Sequence, residues 1–328
     1  MIGTDAGALS RHNPFTCQFC GGNMIASAGT RLREAAEQER PLQVVGVINA
    51  LCAMLAERAG FRAIYLSGAG VANAAHGLPD LGMTSLNDVL EEARRITGVT
   101  NVPLLVDIDT GWGSPLSIER AIRELTQAGV AGVHLEDQVD SKRCGHRPGK
   151  QLVSTSEMKE RVEAACGARP DSSTVIMART DAATVEGIDA AILRSIEYVQ
   201  AGADMIFAEA LTSLEEYRRF ATSVSVPVLA NCTEFGKTPL LTRDELGDAG
   251  VRLVLYPLTA FRAMNAAAAN VYATLRREGT QRSILDQLQT RAELYDLLDY
   301  ESHERMLDAQ TGPERINEKR FHQSGESS

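Results

Sequence analysis

A cysteine surrounded by basic residues is the part of the sequence with the clearest potential for chemistry. Cys144 lies in the segment Lys142-Arg-Cys-Gly-His-Arg-Pro-Gly-Lys150, which carries four cationic side chains and one histidine. Nearby cations lower the pKa of a thiol and attract anions, so Cys144 is a candidate nucleophile or acid–base catalyst. Gly145, Pro148 and Gly149 would let the segment act as a hinged lid. The alternative is a solvated basic loop with an incidental thiol.

Acidic residues form a second group. The third predicted strand ends in Val106-Asp-Ile-Asp-Thr-Gly. Because side chains alternate along a strand, Asp107 and Asp109 would point the same way, and Glu136 at the end of the next strand could join them. Three carboxylates in one buried mouth repel each other unless a cation neutralises them, and hard oxygen ligands favour Mg2+ or Mn2+. The alternative is a set of surface acids at strand ends. We expect His134 to be a hydrogen-bonded interior histidine rather than a ligand.

Apolar strands alternate with amphipathic helices from Thr30 onward, after a first helix at Arg31–Glu39. The eight predicted strands are Gln43–Asn49, Ala63–Ser67, Pro103–Asp109, Gly132–Asp137, Thr174–Thr180, Met205–Ala210, Val226–Asn231 and Leu253–Pro257. Such near-continuous apolar strands, buried on both faces, predict an α/β fold of the (β/α)8 TIM-barrel type. A doubly wound sheet is disfavoured, because Gly46-Val-Ile-Asn provides no phosphate-binding glycine fingerprint.

Polar residues end most of the remaining strands, and a barrel places its active site at these carboxyl ends. Ser67 and Gly68 begin a glycine-rich turn whose amides could bind a carboxylate, and Arg179 could bind one with two hydrogen bonds. Further polar residues stand at or near strand ends: Tyr65, Glu209, Asn231, Thr233 and Arg262. The coincidence of these groups predicts a site for a small anionic substrate.

Composition excludes several classes of partner. The 328 residues carry a net charge of −10, which argues against nucleic acid or an anionic membrane as a general partner. No apolar run approaches the roughly 20 residues of a membrane span. The six cysteines are mostly scattered through predicted strands and helices, which is typical of reduced thiols, and we expect a cytoplasmic protein.

The predicted organisation is one catalytic domain with flanking segments. Residues 1–28 are polar and glycine-rich and are predicted to be a flexible extension, with Met24 as an alternative start. Cys17 and Cys20 in this extension have the spacing of half a zinc knuckle, which is weak evidence for a metal. The barrel with C-terminal helices, among them Phe261–Arg277 and Ser283–Leu298, is assigned to residues 29–300 and a tail to 301–328. The extra helices predict a homo-oligomer, most simply a tetramer.

Several motifs together resemble the isocitrate lyase/phosphoenolpyruvate mutase superfamily, most closely its 2-methylisocitrate lyase branch. They are Asn49, Tyr65-Leu-Ser-Gly, Gly77-Leu-Pro-Asp-Leu-Gly, Val106-Asp-Ile-Asp-Thr-Gly, Glu136-Asp-Gln, Lys142-Arg-Cys-Gly-His-Arg-Pro, Ala178-Arg-Thr-Asp, Ala230-Asn-Cys-Thr-Glu-Phe-Gly and Tyr256-Pro-Leu-Thr-Ala-Phe-Arg. The resemblance runs from about Thr30 to Tyr300. The cysteine-bearing lid is its most specific part, because it marks the lyases within the superfamily.

The resemblance implies an Mg2+-dependent lyase that cleaves 2-methylisocitrate, a small tricarboxylate of the methylcitrate cycle of propionate catabolism, to pyruvate and succinate. It also implies a homotetramer in which the last barrel helix is exchanged between subunits. By the same resemblance Tyr65 is the candidate base and Cys144 the acid. The implied metal residues are Asp107, Asp109, Glu136 and Asp80. The implied substrate residues are Ser67, Gly68, Ala69, Cys144, Gly145, Arg179, Glu209, Asn231, Thr233, Arg262 and Arg291. The candidate catalytic residues are Cys144, Tyr65, Arg143, His146, Arg179 and Glu209.

Departures from the usual lyase pattern leave the substrate open. They are Ala69, the run Asn73–His76, Ala208 and Gly149. Because an extra methyl group is discriminated by only ~1–3 kcal/mol, such changes could move specificity to dimethylmalate, isocitrate or oxaloacetate. A non-catalytic barrel serving as a scaffold is a further alternative, which retention of the lid cysteine and the metal acids disfavours.

Overall fold

The computed structural model describes residues 26–311, and its eight strands form one closed parallel barrel in chain order, which confirms the predicted fold. The strands are β1 Leu42–Gly46, β2 Ala63–Leu66, β3 Leu104–Asp107, β4 Gly132–Glu136, β5 Val175–Thr180, β6 Met205–Ala208, β7 Val228–Asn231 and β8 Leu253–Tyr256. The barrel closes where β1 pairs with β8, with Leu42 opposite Leu253.

Helices follow the strands around the barrel. They are α1 Ala28–Gln38, α2 Ala50–Arg58, α3 Gly68–His76, α4 Leu86–Thr97, α5 Pro115–Gln127, α6 Thr155–Gly167, α7 Ile188–Gln200, α8 Leu214–Ser223, α9 Arg243–Asp248, α10 Thr259–Glu278, α11 Arg291–Leu297 and α12 Tyr300–Thr311. Side chains cap many of their first turns; Ser85 and Asp88, for example, form a reciprocal capping box at α4. None of the helices between residues 26 and 311 is long and apolar enough to cross a membrane.

Alternate residues of each strand serve two cores, which explains the continuous apolar runs. One cluster lies inside the barrel and includes Leu42, Val44, Leu105 and Phe207, while the other lies between the strands and the surrounding helices. Helix α1 joins the inner cluster through Leu32. A barrel filled in this way is a rigid support for the loops at its carboxyl end.

The described chain divides into two compact units, one ending at Arg262 and the other beginning at Ala263. In the second unit the predicted continuous helix Ser283–Leu298 is wrong: a 3-10 helix at Arg282–Gln287 precedes α11, and Leu288 between them is extended. Helix α12 reaches into the stretch predicted as a tail. The predictions about Met24, Cys17 and Cys20 concern residues outside the described range.

Strand β3 ends two residues earlier than predicted, and this changes the geometry of the acidic pair. Asp107 is its last residue, whereas Asp109 has a φ of 48° in the left-handed region. The argument from strand alternation is therefore wrong for Asp109. A left-handed turn, which Asp tolerates better than most residues, directs its carboxylate instead.

Candidate active site

A cavity of about 90 Å3 opens at the carboxyl ends of the strands of the first unit, where a barrel was expected to place its site. Most of the predicted site residues line it: Tyr65, Ser67, Ala69, Asp80, Asp107, Arg143, Cys144, Gly145, His146, Arg179, Glu209, Asn231, Thr233 and Arg262. Gly68, Asp109 and Glu136 are buried close by, as their contacts below show. Arg291 belongs to α11 in the second unit, so its role stays a prediction.

The carboxylates of Asp107 and Asp109 converge on the start of α3. A Cβ atom added at Gly68 would lie 3.2 Å from Asp109 Oδ1 and 3.3 Å from Asp107 Oδ2, so a larger residue would press on both acids. The Gly68 amide donates to Asp107 Oδ2 at 3.0 Å. The amide that was expected to bind a substrate carboxylate is thus used by the protein's own acid, which also gains from the positive end of the helix.

Lys142 of the lid supplies the positive charge nearest to these acids. Its Nζ lies 2.6 Å from Asp109 Oδ1 and also contacts Asp80. Although burial opposes the charged form, Asp109, Glu136 and Asp80 raise the pKa of Lys142 well above its usual range. No group of three or more His, Cys, Asp or Glu side chains among residues 26–311 is arranged to hold a metal ion as the chain stands.

The donor set nevertheless fits a hard divalent cation. Glu136 is 1% exposed, and its Oε1 has no hydrogen-bond partner in the described chain. Burial raises the pKa of Glu136 well above its usual value, and burial together with Asp107 raises that of Asp109 to about 6. Carboxylates this poorly compensated are the ligands that Mg2+ or Mn2+ would stabilise. A cation could therefore be held by Asp107, Asp109, Glu136 and Asp80. It would share the carboxylates of Asp80 and Asp109 with the Lys142 ammonium group.

Tyr65 and His134 form a buried pair beneath the acids. The Tyr65 hydroxyl lies 2.9 Å from His134 Nε2 and 3.3 Å from Asp107 Oδ2. Burial lowers the pKa of His134 to about 4, so the imidazole is neutral, and it shares a hydrogen bond with the phenol. This agrees with the prediction of a hydrogen-bonded interior histidine. Burial and Asp107 raise the pKa of Tyr65 well above its usual value, so the candidate base holds its proton.

Arg179 is enclosed by carboxylates of the protein. Its Nε lies 3.0 Å from Asp181 Oδ2 and 3.2 Å from Glu136 Oε2, and one terminal nitrogen lies 3.3 Å from Glu209 Oε2. Although burial opposes the charged form, Arg179 and His146 hold the pKa of Glu209 well below its usual range. Arg179 therefore orients acids in addition to lining the cavity, a role that the sequence did not predict.

The thiol of Cys144 differs from the prediction. Burial raises its pKa, and Asp80 and Glu209 add to the effect, against the opposing influence of the His146 backbone hydrogen bond and of Arg179. The expected lowering was wrong, because Lys142 is engaged by acids while Arg143 and Arg147 are exposed. A thiol that keeps its proton suits a general acid better than a nucleophile.

The lid is closed over the cavity and tied at its base. Gln138 accepts from the Arg143 amide at 2.9 Å and donates to the Arg143 carbonyl at 2.8 Å, and an antiparallel bridge joins Gln138 to Leu152. Gly145 packs so closely that an added Cβ would lie 2.5 Å from Arg179 and 2.6 Å from Glu209. Gly145 thus allows the lid backbone to approach these two residues closely.

The other lid residues make different contacts with the site. His146 Nδ1 accepts from the Lys237 amide at 2.9 Å, which directs its Nε2 toward Glu209 Oε1 at 3.0 Å. Arg143 is exposed and donates to the Pro148 carbonyl within the lid, so it stands at the rim. Gly149 has a φ of 80°, a conformation that asparagine also tolerates, so this departure from the usual lyase pattern preserves the backbone.

Sequence reasoning missed several residues of the site. Phe207, Leu255 and Leu258 form an apolar part of the cavity wall, and they were hidden among other core residues. Asp181 and Gln138 stand inside quoted motifs but were given no role, although Arg179 and the lid base rest on them. Their position directly after strand ends was the available signal.

Comparison with known proteins agrees with this site. The family model described as phosphoenolpyruvate phosphomutase matches residues 32–276. The chain is 58% identical to the 2-methylisocitrate lyase of Shewanella oneidensis over 87% of this chain and 98% of that protein. It is 57% identical to the 2-methylisocitrate lyase of Escherichia coli over 87% of this chain and 96% of that protein.

A solved structure extends the match to three dimensions. That structure, of 2,3-dimethylmalate lyase, a PEP mutase/isocitrate lyase superfamily member, superposes with a TM-score of 0.81 at 35% identity and covers 88% of this chain and 97% of its own. Family model, sequence identity and barrel geometry lead to the same assignment. The chain belongs to the PEP mutase/isocitrate lyase superfamily and, within it, to the family of the 2-methylisocitrate lyases.

Proposed function

We propose that this protein is a lyase that cleaves 2-methylisocitrate to pyruvate and succinate in the methylcitrate cycle. The observation that carries the proposal is the position of the Cys144 thiol, which the lid places at a cavity lined by Asp107, with Asp109 buried beside that acid. Burial raises the pKa of this thiol. Identity of 58% to a 2-methylisocitrate lyase over nearly the whole of that enzyme supports this substrate.

The reaction requires one proton to leave the substrate and one to arrive. Removal of the hydroxyl proton lets the C2–C3 bond break, its electron pair passes to the carbon that becomes a methylene of succinate, and the C2–O bond becomes the pyruvate carbonyl. Cys144 donates a proton to the succinate carbanion. Tyr65 can accept the hydroxyl proton only if it passes its own proton on, and the two neighbours that could take it are Asp107 Oδ2 at 3.3 Å and His134 Nε2 at 2.9 Å.

The cofactor in this proposal is Mg2+, with Mn2+ as a substitute. Asp107, Asp109, Glu136 and Asp80 would hold it, and a bound cation would stabilise the negative charge that develops on the substrate oxygen. Glu136, whose Oε1 has no hydrogen-bond partner in the described chain, is the residue that fits such a cation best.

The substrate groups have matching surfaces in the cavity. The methyl group of 2-methylisocitrate can pack against Phe207, Leu255 and Leu258. The substrate carboxylates can bind to Arg262 and to the polar groups of Ser67, Asn231 and Thr233. Of the residues that depart from the usual lyase pattern, Ala69 lines this cavity, and the others are not among its lining residues in the described chain. We therefore retain 2-methylisocitrate over dimethylmalate, the substrate that the name of the similar solved structure indicates.

A substrate panel tests this choice. Purified protein with Mg2+ is offered 2-methylisocitrate, isocitrate, dimethylmalate and oxaloacetate, and release of the oxo acid is followed by its coupled reduction. We expect the highest kcat/KM for 2-methylisocitrate, because of the four compounds only this one has both a methyl group for the apolar wall and three carboxylates for the polar groups. A preference for dimethylmalate or oxaloacetate would replace the proposed substrate.

We also propose that the protein is a homotetramer in which the C-terminal helices pack on a neighbouring subunit. Of the described side chains of α10, only Thr274 is buried, whereas Tyr272 is 71% exposed. Further apolar side chains of the second unit are exposed: Leu275, Leu285, Met306 and Leu307. A cluster of exposed apolar side chains in one segment is typical of a protein–protein interface.

The assembly can be measured by light scattering at micromolar concentration, where we expect a tetramer. Tyr272→Glu should shift the protein to smaller species, because it buries an unpaired charge in the interface. Leu193→Glu, at a residue of α7 that is 65% exposed, is the matched control and should leave the mass unchanged. A monodisperse wild-type monomer would refute the assembly.

We place the enzyme in the cytoplasm. Cys144 must remain a free thiol to donate its proton, and Cys144, Cys166 and Cys232 are free thiols in the structure. The cytosol keeps thiols reduced, whereas oxidising compartments do not.

A further inference from the structure

A buried lysine links the lid to the wall of the cavity. Lys150 lies at the end of the lid, and its side chain is 2% exposed. Its Nζ donates to the Gly145 carbonyl at 2.6 Å and to Asp181 Oδ1 at 2.7 Å. One ammonium group therefore holds both the backbone next to Cys144 and an acid of the barrel.

Asp181 continues this connection into the barrel. Its carboxylate accepts from Arg179 at 3.0 Å and 3.3 Å, and Asp137 accepts from the Asp181 amide at 2.9 Å. Arg179 in turn contacts Glu209. The chain of contacts thus runs from the Gly145 carbonyl through Lys150 and Asp181 to the two residues against which Gly145 packs.

Closure of the loop alone does not require this lysine. The bridge between Gln138 and Leu152 already joins the ends of the lid, with the Val139 amide donating to the Gln151 carbonyl at 3.0 Å. A buried ion pair is weak evidence for a contribution to stability, because desolvation of both charges offsets their attraction. What the Lys150 contacts add is a defined position for the lid backbone.

We propose that Lys150 is a positioning residue that holds Gly145, and with it the Cys144 thiol, against the cavity while Asp181 fixes Arg179. The effect on the lid follows from the contacts alone. The effect on turnover rests on the proposed lyase function, because displacement of an acid by about 1 Å can cost ~10²-fold in rate.

The test is the rate at which iodoacetamide alkylates Cys144 in the free enzyme, measured by peptide mass spectrometry. In Lys150→Met the Gly145 carbonyl loses its hydrogen bond to the lysine, so the backbone next to Cys144 is no longer fixed. We expect Cys144 to be alkylated several-fold faster, because the thiol becomes more exposed and its raised pKa returns toward the ordinary value. Cys166, half-buried beside the Gly202 carbonyl, is the internal reference and should react at an unchanged rate.

Lys159→Met is the matched control, since Lys159 also pairs with a carboxylate, that of Glu197 at 2.6 Å, but on the surface of the barrel. It should leave Cys144 alkylation and turnover unchanged. With 2-methylisocitrate, Lys150→Met should lose about 10²-fold in kcat with a smaller change in KM. Cleavage at a wild-type rate would overturn the positioning role in catalysis.

Failure of the proposed lyase function and failure of the proposed role of Lys150 give different results in these experiments. If the wild type does not cleave 2-methylisocitrate, the proposed function fails, while the alkylation rates still decide the role of Lys150. If Lys150→Met does not fold, Lys150→Gln, which can keep one of the two hydrogen bonds, takes its place. Alkylation of Cys144 at the wild-type rate in the variant that folds would overturn the proposal.

Discussion

Replacement of Cys144 by serine is expected to lower kcat for 2-methylisocitrate by roughly 10²–10⁴-fold, the usual contribution of a general acid. A serine hydroxyl is a far weaker acid than a thiol, although it fills nearly the same space. The thiol is half-buried and its pKa is raised, so it enters the reaction with its proton. The fold and the metal site should remain, because the change removes no contact of Asp107 or Asp109.

Steady-state kinetics with circular dichroism measure this effect. Cys166→Ser is the matched control, because Cys166 is also a free, half-buried thiol but lies near Gly202, away from the cavity lining. It should retain wild-type kcat. Turnover near the wild-type level in Cys144→Ser would exclude Cys144 as the proton donor.

The same thiol reports on the lid. Because its pKa is raised, alkylation of Cys144 by iodoacetamide should accelerate with pH through a midpoint above that of an ordinary cysteine. Mg2+, succinate and pyruvate at saturating concentrations should slow the reaction, since bound product then holds the lid in its closed position and shields the thiol. Alkylation that ignores these ligands would contradict lid closure.

Removal of the metal should have an effect of similar size. EDTA is expected to abolish turnover and Mg2+ to restore it, since a cation at this site contributes several kcal/mol to the stabilisation of developing charge. The double variant Asp107→Ala, Asp109→Ala should be inactive with any amount of Mg2+. It should also lose binding of Mn2+, measured by electron paramagnetic resonance without turnover.

Asp244→Ala is the control for loss of a carboxylate. The Asp244 side chain is 85% exposed and pairs only with the neighbouring Arg243 among the described ion pairs, an interaction of little energetic weight. Its Mn2+ binding and turnover should equal those of the wild type. Full activity of the double variant would remove these two acids from the metal site.

Local patterns were enough to predict the barrel, because parallel strands buried on both faces leave uninterrupted apolar stretches such as Leu104, Leu105 and Val106 of β3. Local patterns were less informative about why the carboxylates of Asp107 and Asp109 converge. Asp107 and Asp109 do meet, yet through the left-handed backbone at Asp109 rather than through strand alternation. A single residue with positive φ leaves no periodic signal in the sequence.

Charge balance in the site could not be deduced from spacing along the chain. The basic segment suggested a low pKa for Cys144, but Lys142 pairs with Asp80 and Asp109, which come from other loops, and burial then dominates. Lys150 appeared to be one more solvated cation, although its partner Asp181 lies 31 residues away. Desolvation and distant partners are properties of the fold, so they become visible only when the barrel has brought the strand ends together.

The most direct test of the central claim is product analysis in deuterated water. Mass spectrometry and proton magnetic resonance would follow 2-methylisocitrate with the Mg2+-loaded protein. Lyase chemistry with Cys144 as acid predicts pyruvate and succinate in equal amounts, with a single solvent-derived deuterium on a methylene of succinate, because the thiol exchanges with solvent before it protonates the carbanion. Unchanged 2-methylisocitrate in a sample that cleaves dimethylmalate or hydrolyses oxaloacetate would contradict the account.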